Sequence, residues 1–278
     1  MSVSDQPETL YQARNLSKLF PARARGFGRE SASVTALDDV SLHIRRGETV
    51  GIVGESGCGK STLARLLLRL DRPSSGSLEY RLNDELRDVG QFGRHERVAF
   101  QRKVQMVFQD PYTSLNPRER VGSAMEGPLR ANGMRSAAER MARVSEALDV
   151  VGIDPEWLVR FPHEFSGGQR QRICIARALV LKPELIVADE PVSSLDVSIQ
   201  AQVLNLLCKV QRELKLTYVF IGHDLSIVQY MSDRVIVMDQ GKIVEELPSA
   251  QLTSATHPYT QQLLAAIPDP RISKRRNT

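Results

Sequence analysis

Gly54-Glu55-Ser56-Gly57-Cys58-Gly59-Lys60-Ser61 fits the phosphate-binding pattern G-x-x-x-x-G-K-[ST] at every fixed position. The apolar run Thr49-Val50-Gly51-Ile52-Val53 reads as a buried strand over 48–53, and Leu63-Ala64-Arg65-Leu66-Leu67-Leu68 belongs to a helix over 60–70. Strand, loop and helix in that order are the context the pattern requires. Glycines lacking a Cβ let successive backbone N–H groups curl around phosphate oxygens, and the helix N-terminus adds partial positive charge. Lys60 is placed to reach the terminal phosphates, and the Ser61 hydroxyl to hold Mg²⁺. Gly54 to Ser61, with Thr62 after them, are the expected cradle of a nucleotide.

A cradle needs a second half that holds the metal and prepares a nucleophile. Leu185-Ile186-Val187-Ala188 is a short apolar run of the kind that forms a parallel strand covered on both faces, and it ends at Asp189-Glu190. Ligands of open α/β sheets sit at the carboxyl ends of strands, so Asp189 is expected to meet Mg²⁺, directly or through water. Glu190 is expected to orient or deprotonate an attacking water. Further on the N-terminal side, Phe165-Ser166-Gly167-Gly168-Gln169 stands directly before the helical run Arg170 to Leu179. It reads as a second anion-binding helix start. One site does not need two cradles; two chains arranged head-to-tail would, each lending one to the other's nucleotide.

Strands are expected at 104–108, 185–188 and 218–221, and a hairpin at 234–238 and 242–245 turning through Asp239-Gln240-Gly241. A helix capped by Ser136, with Glu139 reaching back to it, is expected to bury Met141, Val144, Leu148 and Val151. A second is expected to bury Ile199, Val203, Leu206, Val210 and Leu214. Strands alternating with helices give an α/β sheet. Arg23 to Arg29 reads as a surface loop and Lys274 to Thr278 as a frayed basic tail.

The chain has 278 residues, a net charge of +4 and an ordinary balance of 41% hydrophobic and 25% charged residues, so it is long enough for one or two cored domains. Cys58, Cys174 and Cys208 are far apart, which argues for free thiols in a reducing compartment and against a zinc site or a disulfide framework. No uncharged apolar run approaches the ~18 residues of a membrane span, and the polar N-terminus has no signal region. If this protein works at a membrane, other chains cross it.

The order of the P-loop, Gln109, Phe165-Ser166-Gly167-Gly168-Gln169, Asp189-Glu190, Ser193-Ser194-Leu195-Asp196 and His223 resembles the ATP-binding subunits of ABC transporters. The likeness runs from about Leu16 to Pro270. Phe165 stands where Leu is usual in the signature motif, and Gly222 where Ser or Thr is frequent. The resemblance implies a P-loop NTPase with a RecA-like core, an antiparallel β subdomain and a helical signature subdomain over about 112–165. Residues 1–270 would form the ATP-binding domain and 271–278 a basic tail. It further implies that Phe20 stacks on adenine and that Gln109 senses Mg²⁺ and the attacking water. Ser166, Gly167, Gly168 and Gln169 would bind ATP in trans, Asp196 would link two ATP sites across a dimer, and His223 would contact the γ-phosphate.

Met106-Val107-Phe108-Gln109-Asp110-Pro111, Leu115-Asn116-Pro117-Arg118, Pro162-His163-Glu164, His257-Pro258-Tyr259-Thr260 and Ile267-Pro268-Asp269-Pro270 are similar to the oligopeptide and dipeptide importer ATPases. The last two runs fall in a C-terminal region of about 246–270 typical of that group. Such subunits lie on the cytoplasmic face of the bacterial inner membrane. Their partners would be a second, non-identical ATP-binding subunit, two transmembrane permeases and, indirectly, an extracytoplasmic solute-binding protein, with no nucleic acid. Some relatives carry a C-terminal cysteine cluster; this chain has none, so no iron–sulfur centre is expected. Nickel, glutathione or another solute is the alternative cargo. A soluble ABC ATPase acting on ribosomes or DNA is the alternative from another class, but those usually carry two fused ATPase halves or a long coiled-coil insertion, and this sequence has one P-loop.

Overall fold

The computed structural model describes residues 8–21 and 33–267. The Arg23–Arg29 stretch, Pro268 to Pro270 and the basic tail lie outside the described residues. Strands β1 (Thr9–Phe20), β2 (Val34–Arg45) and β3 (Thr49–Val53) lead to helix α1 (Lys60–Leu67). Strands β4 (Ser75–Leu82) and β5 (Glu85–Asp88), helix α2 (Arg94–Lys103) and strand β6 (Val104–Val107) follow. Four helices come next: α3 (Pro111–Ser114), α4 (Val121–Ala131), α5 (Ala137–Val151) and α6 (Gly167–Leu179). The chain continues through β7 (Leu185–Asp189), α7 (Val197–Leu214), β8 (Thr217–Gly222), α8 (Leu225–Met231), β9 (Arg234–Asp239), β10 (Lys242–Pro248) and α9 (Pro258–Ala265).

Two sheets form. One is antiparallel, in the order β2-β1-β4-β5; the other runs β10-β9-β3-β8-β7-β6 and is parallel except for β10. The apolar runs that make the second sheet are buried along their length. Alternate side chains point to opposite faces of a strand, and two cores result. Ile186, Ala188, Tyr218, Phe220, Val235 and Val237 join the helices on one side. Leu185, Val187, Val219, Ile221, Ile236 and Met238 join α1 and the antiparallel sheet on the other. The β9–β10 hairpin turns through Gln240 and Gly241, both at positive φ (46° and 82°), as the two-residue turn that matches strand twist requires.

Three local expectations shift. Helix α1 ends at Leu67, because Arg69 adopts a left-handed φ of 54°. Met141 and Leu214 are exposed (44% and 46%), while Val144, Leu148, Val151, Val203, Leu206 and Val210 are buried. Each of these two residues sits near a helix end, where the apolar stripe has run past the core. The Ser136 cap forms half of its box: its Oγ accepts from the Glu139 N–H at 3.3 Å.

Candidate active site

The carboxyl ends of β3, β6, β7 and β8 lie side by side, and each delivers one part of the site. After β3 the chain turns through Gly57 (φ 87°) and Gly59 (φ 107°) into α1. A side chain at Gly59 would put its Cβ 2.5 Å from the Ala36 carbonyl oxygen, so close approach of β2 as well as backbone conformation demands glycine there. Lys60 is buried, and its Nζ donates to the carbonyls of Gly54 (2.7 Å) and Glu55 (2.8 Å). An ammonium group with two carbonyl partners is held inside the loop.

At the end of β7, Asp189 Oδ1 lies 3.5 Å from Ser61 Oγ. Burial, with the neighbouring Glu190 charge, pushes the Asp189 carboxyl above its ordinary range, against the Ser61 hydrogen bond and Lys60. A carboxylate and a hydroxyl converging in this way make a hard oxygen donor pair, and a cation between them would offset the cost of ionising a buried carboxyl. Ser61 and Asp189 therefore fit Mg²⁺.

Glu190 follows with a left-handed φ of 46°, a conformation that costs a non-glycine residue about 1–3 kcal/mol and is concentrated at functional sites. Its N–H donates to the Ile221 carbonyl at 2.9 Å, tying it to β8. The turn delivers the carboxylate to two neighbours at once. Gln109, two residues past β6, donates through Nε2 to Glu190 Oε2 at 3.2 Å. His223, one residue past β8, places Nδ1 3.1 Å from the same oxygen. The Ser194 hydroxyl donates to the Gln109 carbonyl at 3.3 Å.

Ser56, Gly57, Gly59, Lys60, Ser61, Thr62, Gln109, Glu190 and His223 line one cavity of about 400 Å³, with Ala36 of β2 on its wall. Ala36 had no signal in the sequence, since an alanine in a polar strand has no chemistry of its own. Phe20 is not in this lining. It is 39% exposed at the end of β1, pairs in register with Val34, and carries the Lys18 ammonium 5.0 Å above its ring.

Residues Ser166 to Gln169 do not line the cavity either. They start α6 elsewhere on the surface. Ser166 Oγ accepts from the Gln169 N–H (3.3 Å), and Gln169 Oε1 accepts from the Ser166 N–H (3.0 Å). This reciprocal cap leaves the Gly167 and Gly168 amides at the open helix start. Phe165 is buried against Trp157, with ring centroids 5.7 Å apart. Gly168 has no room for a Cβ, which would come 2.6 Å from Ile199 Cγ2. Asp196 stands at the N-cap position of α7 without capping it, and is exposed, as is Val197 beside it.

The family model for ABC transporters matches residues 37–193. The chain is 48% identical, over 270 residues, to the oligopeptide transport ATP-binding protein AppF of Bacillus subtilis, covering 96% of this chain and 80% of that protein. It is 48% identical over 260 residues to the dipeptide transport ATP-binding protein DppF of Haemophilus influenzae, covering 93% of this chain and 78% of that one. Among solved structures, it is similar to the dimeric ATP-binding cassette MJ0796 in a post-hydrolysis state bound to ADP and Pi. The TM-score is 0.72 at 30% identity, over 86% of this chain and 99% of that chain.

Proposed function

Since the chain belongs to the ABC transporter family of P-loop ATPases, we propose that it is the ATP-hydrolysing subunit that powers a membrane importer of oligopeptides or dipeptides. The observation that carries this reading is the division of the site. The P-loop cavity holds Glu190 between Gln109 and His223, while the Ser166 cradle stands outside it, which supports a reading in which one chain serves two different nucleotides.

ATP enters with its phosphates in the loop 54–61, and Lys60 exchanges its carbonyl partners for phosphate oxygens. Ser61 and Asp189 would hold Mg²⁺, which when bound neutralises charge on the β- and γ-phosphate oxygens. Glu190 Oε2 accepts a proton from water and aims its oxygen at the γ-phosphorus. A new P–O bond forms, the bond to the β-phosphate bridging oxygen breaks, and ADP and phosphate leave. Gln109 and His223 keep the carboxylate oriented, and His223, 60% exposed at the mouth, reaches the γ-phosphate. In trans, Ser166 and the Gly167 and Gly168 amides close on the γ-phosphate of the partner's ATP, Gln169 holds the cap, and Asp196 spans the interface. Positioning and fixed charge supply the catalysis. Phe20, paired with Val34 on the strand whose Ala36 walls the cavity, stacks on adenine.

Among the described residues no helix is long and apolar enough to cross a membrane. The permeases would be separate chains, reached at the cytoplasmic face of the inner membrane through the segment after Gln109, where Tyr112 is exposed. Affinity purification from native membranes tests this reading. Two multi-span permeases and a second, non-identical ATPase are expected, with turnover stimulated by a peptide-loaded binding protein. Ribosomes, DNA-repair proteins or the chain alone in the soluble fraction would overturn it.

A further inference from the structure

The run His257-Pro258-Tyr259-Thr260 has no part in the chemistry above, yet it touches the ATP site. It opens α9, with His257 Nδ1 accepting from the Tyr259 N–H at 3.3 Å. Glu245 of β10 anchors the approach to the helix: its Oε1 accepts from the Thr256 N–H (2.7 Å), the Thr256 hydroxyl (3.1 Å) and the His257 N–H (3.3 Å). Thr260 is fully buried, and Tyr259 packs on the main core. From this fixed base the Tyr259 phenol oxygen accepts from the backbone N–H of Glu55 at 2.9 Å, across 204 residues of sequence.

Glu55 is the second residue of the P-loop, and it is gripped on both sides. Tyr259 holds its N–H, and Lys60 Nζ holds its carbonyl. The second grip ends when Lys60 turns to phosphate; the first does not depend on nucleotide. We propose that Tyr259 is a positioning residue for the ATP site, keeping the entry of the P-loop in its phosphate-receiving form once Lys60 has left it. A loop already held needs less ordering by its ligand, and preorganisation of this kind raises affinity. Burial pushes the Tyr259 phenol above its ordinary range, so the bond is between neutral groups, and its loss is worth about threefold to tenfold in an equilibrium constant. The C-terminal segment thereby acts on nucleotide affinity and not on fold alone.

This inference rests on the ATP site proposed above. The test is Tyr259→Phe in the full chain, which removes the acceptor and keeps the ring, measured for ATP Kd, KM, kcat and Tm. Thr256→Ala, which loosens the same segment without removing the phenol, is the comparison. The expected result for Tyr259→Phe is a Kd and KM raised about threefold to tenfold, with kcat within about twofold. Thr256→Ala is expected to lower Tm with the Kd unchanged. An unchanged Kd in Tyr259→Phe, or a Kd that merely tracks Tm across both variants, would overturn the positioning role. Failure of the unaltered chain to bind ATP would instead overturn the ATP site itself.

Discussion

His223 Nδ1 lies 3.1 Å from Oε2 of Glu190, joining the residue after β8 to the residue after β7 across the mouth of the P-loop cavity. Two neighbouring parallel strands thus deliver the proposed base and its proposed orienting partner without any loop having to fold back between them. The left-handed φ of Glu190 is a local cost of that arrangement.

Removing the imidazole tests the pairing. His223→Ala is expected to lower kcat about 10²-fold, the scale of one lost positioning or charge-stabilising group. ATP affinity should stay within about threefold, because Lys60 and the loop amides remain. Steady-state hydrolysis together with equilibrium nucleotide binding reads both. A kcat within twofold of the parent would remove His223 from the mechanism.

The separation of the two cradles makes a different demand. Ser166→Ala removes the hydroxyl proposed to act in trans and one half of a helix cap worth about 1 kcal/mol. ATP binding to the isolated chain should be unchanged, and hydrolysis by the assembled complex should fall at least about tenfold. If ATP binding to the isolated chain weakens beyond the small loss of stability, the serine serves its own chain's nucleotide and the head-to-tail arrangement is wrong.

Asp189 gives a pH signature. Its carboxyl is raised by burial and by Glu190 above the ordinary value of 3.8. Without ligand the folded state therefore holds this proton more tightly than the unfolded one, and stability from this group falls as pH rises through that window. Asp189→Asn keeps an acceptor for Ser61 and carries no charge. It is expected to raise the Tm of the ligand-free protein at pH 7, with the gain vanishing as pH falls below about 4. Mg²⁺-ATP should then protect the variant less than the parent. Thermal melts at several pH values decide it, and a lower Tm for the ligand-free variant at neutral pH would contradict the assignment.

The parallel sheet was legible because its strands are short apolar runs ending in chemistry, at Val53, Asp189 and Gly222. The antiparallel sheet was expected only through resemblance, for a physical reason. Strands β1 and β2 mix polar and apolar residues, and their pairing shifts register between Thr9 and Tyr11, Ala13 and Leu16, Leu16 and Lys18, and Lys18 and Leu19. Asn15 and Asp39 take positive φ within them. Each irregularity breaks the two-residue alternation by which a strand announces itself. The convergence of Gln109, Glu190 and His223 was implied by the family resemblance that the order of motifs carries. The contact of Tyr259 with Glu55 did not, since no spacing links residues brought together only by the packing of α9 on the core.

Glu190→Gln is the most direct measurement. The amide keeps the shape and can still bond to Gln109 and His223, but it cannot take a proton from water. The expected result is ATP affinity within about threefold of the parent and hydrolysis reduced at least about 100-fold, the range of a lost general base. Hydrolysis at the parent rate with intact binding would contradict the claim that this carboxylate prepares the water.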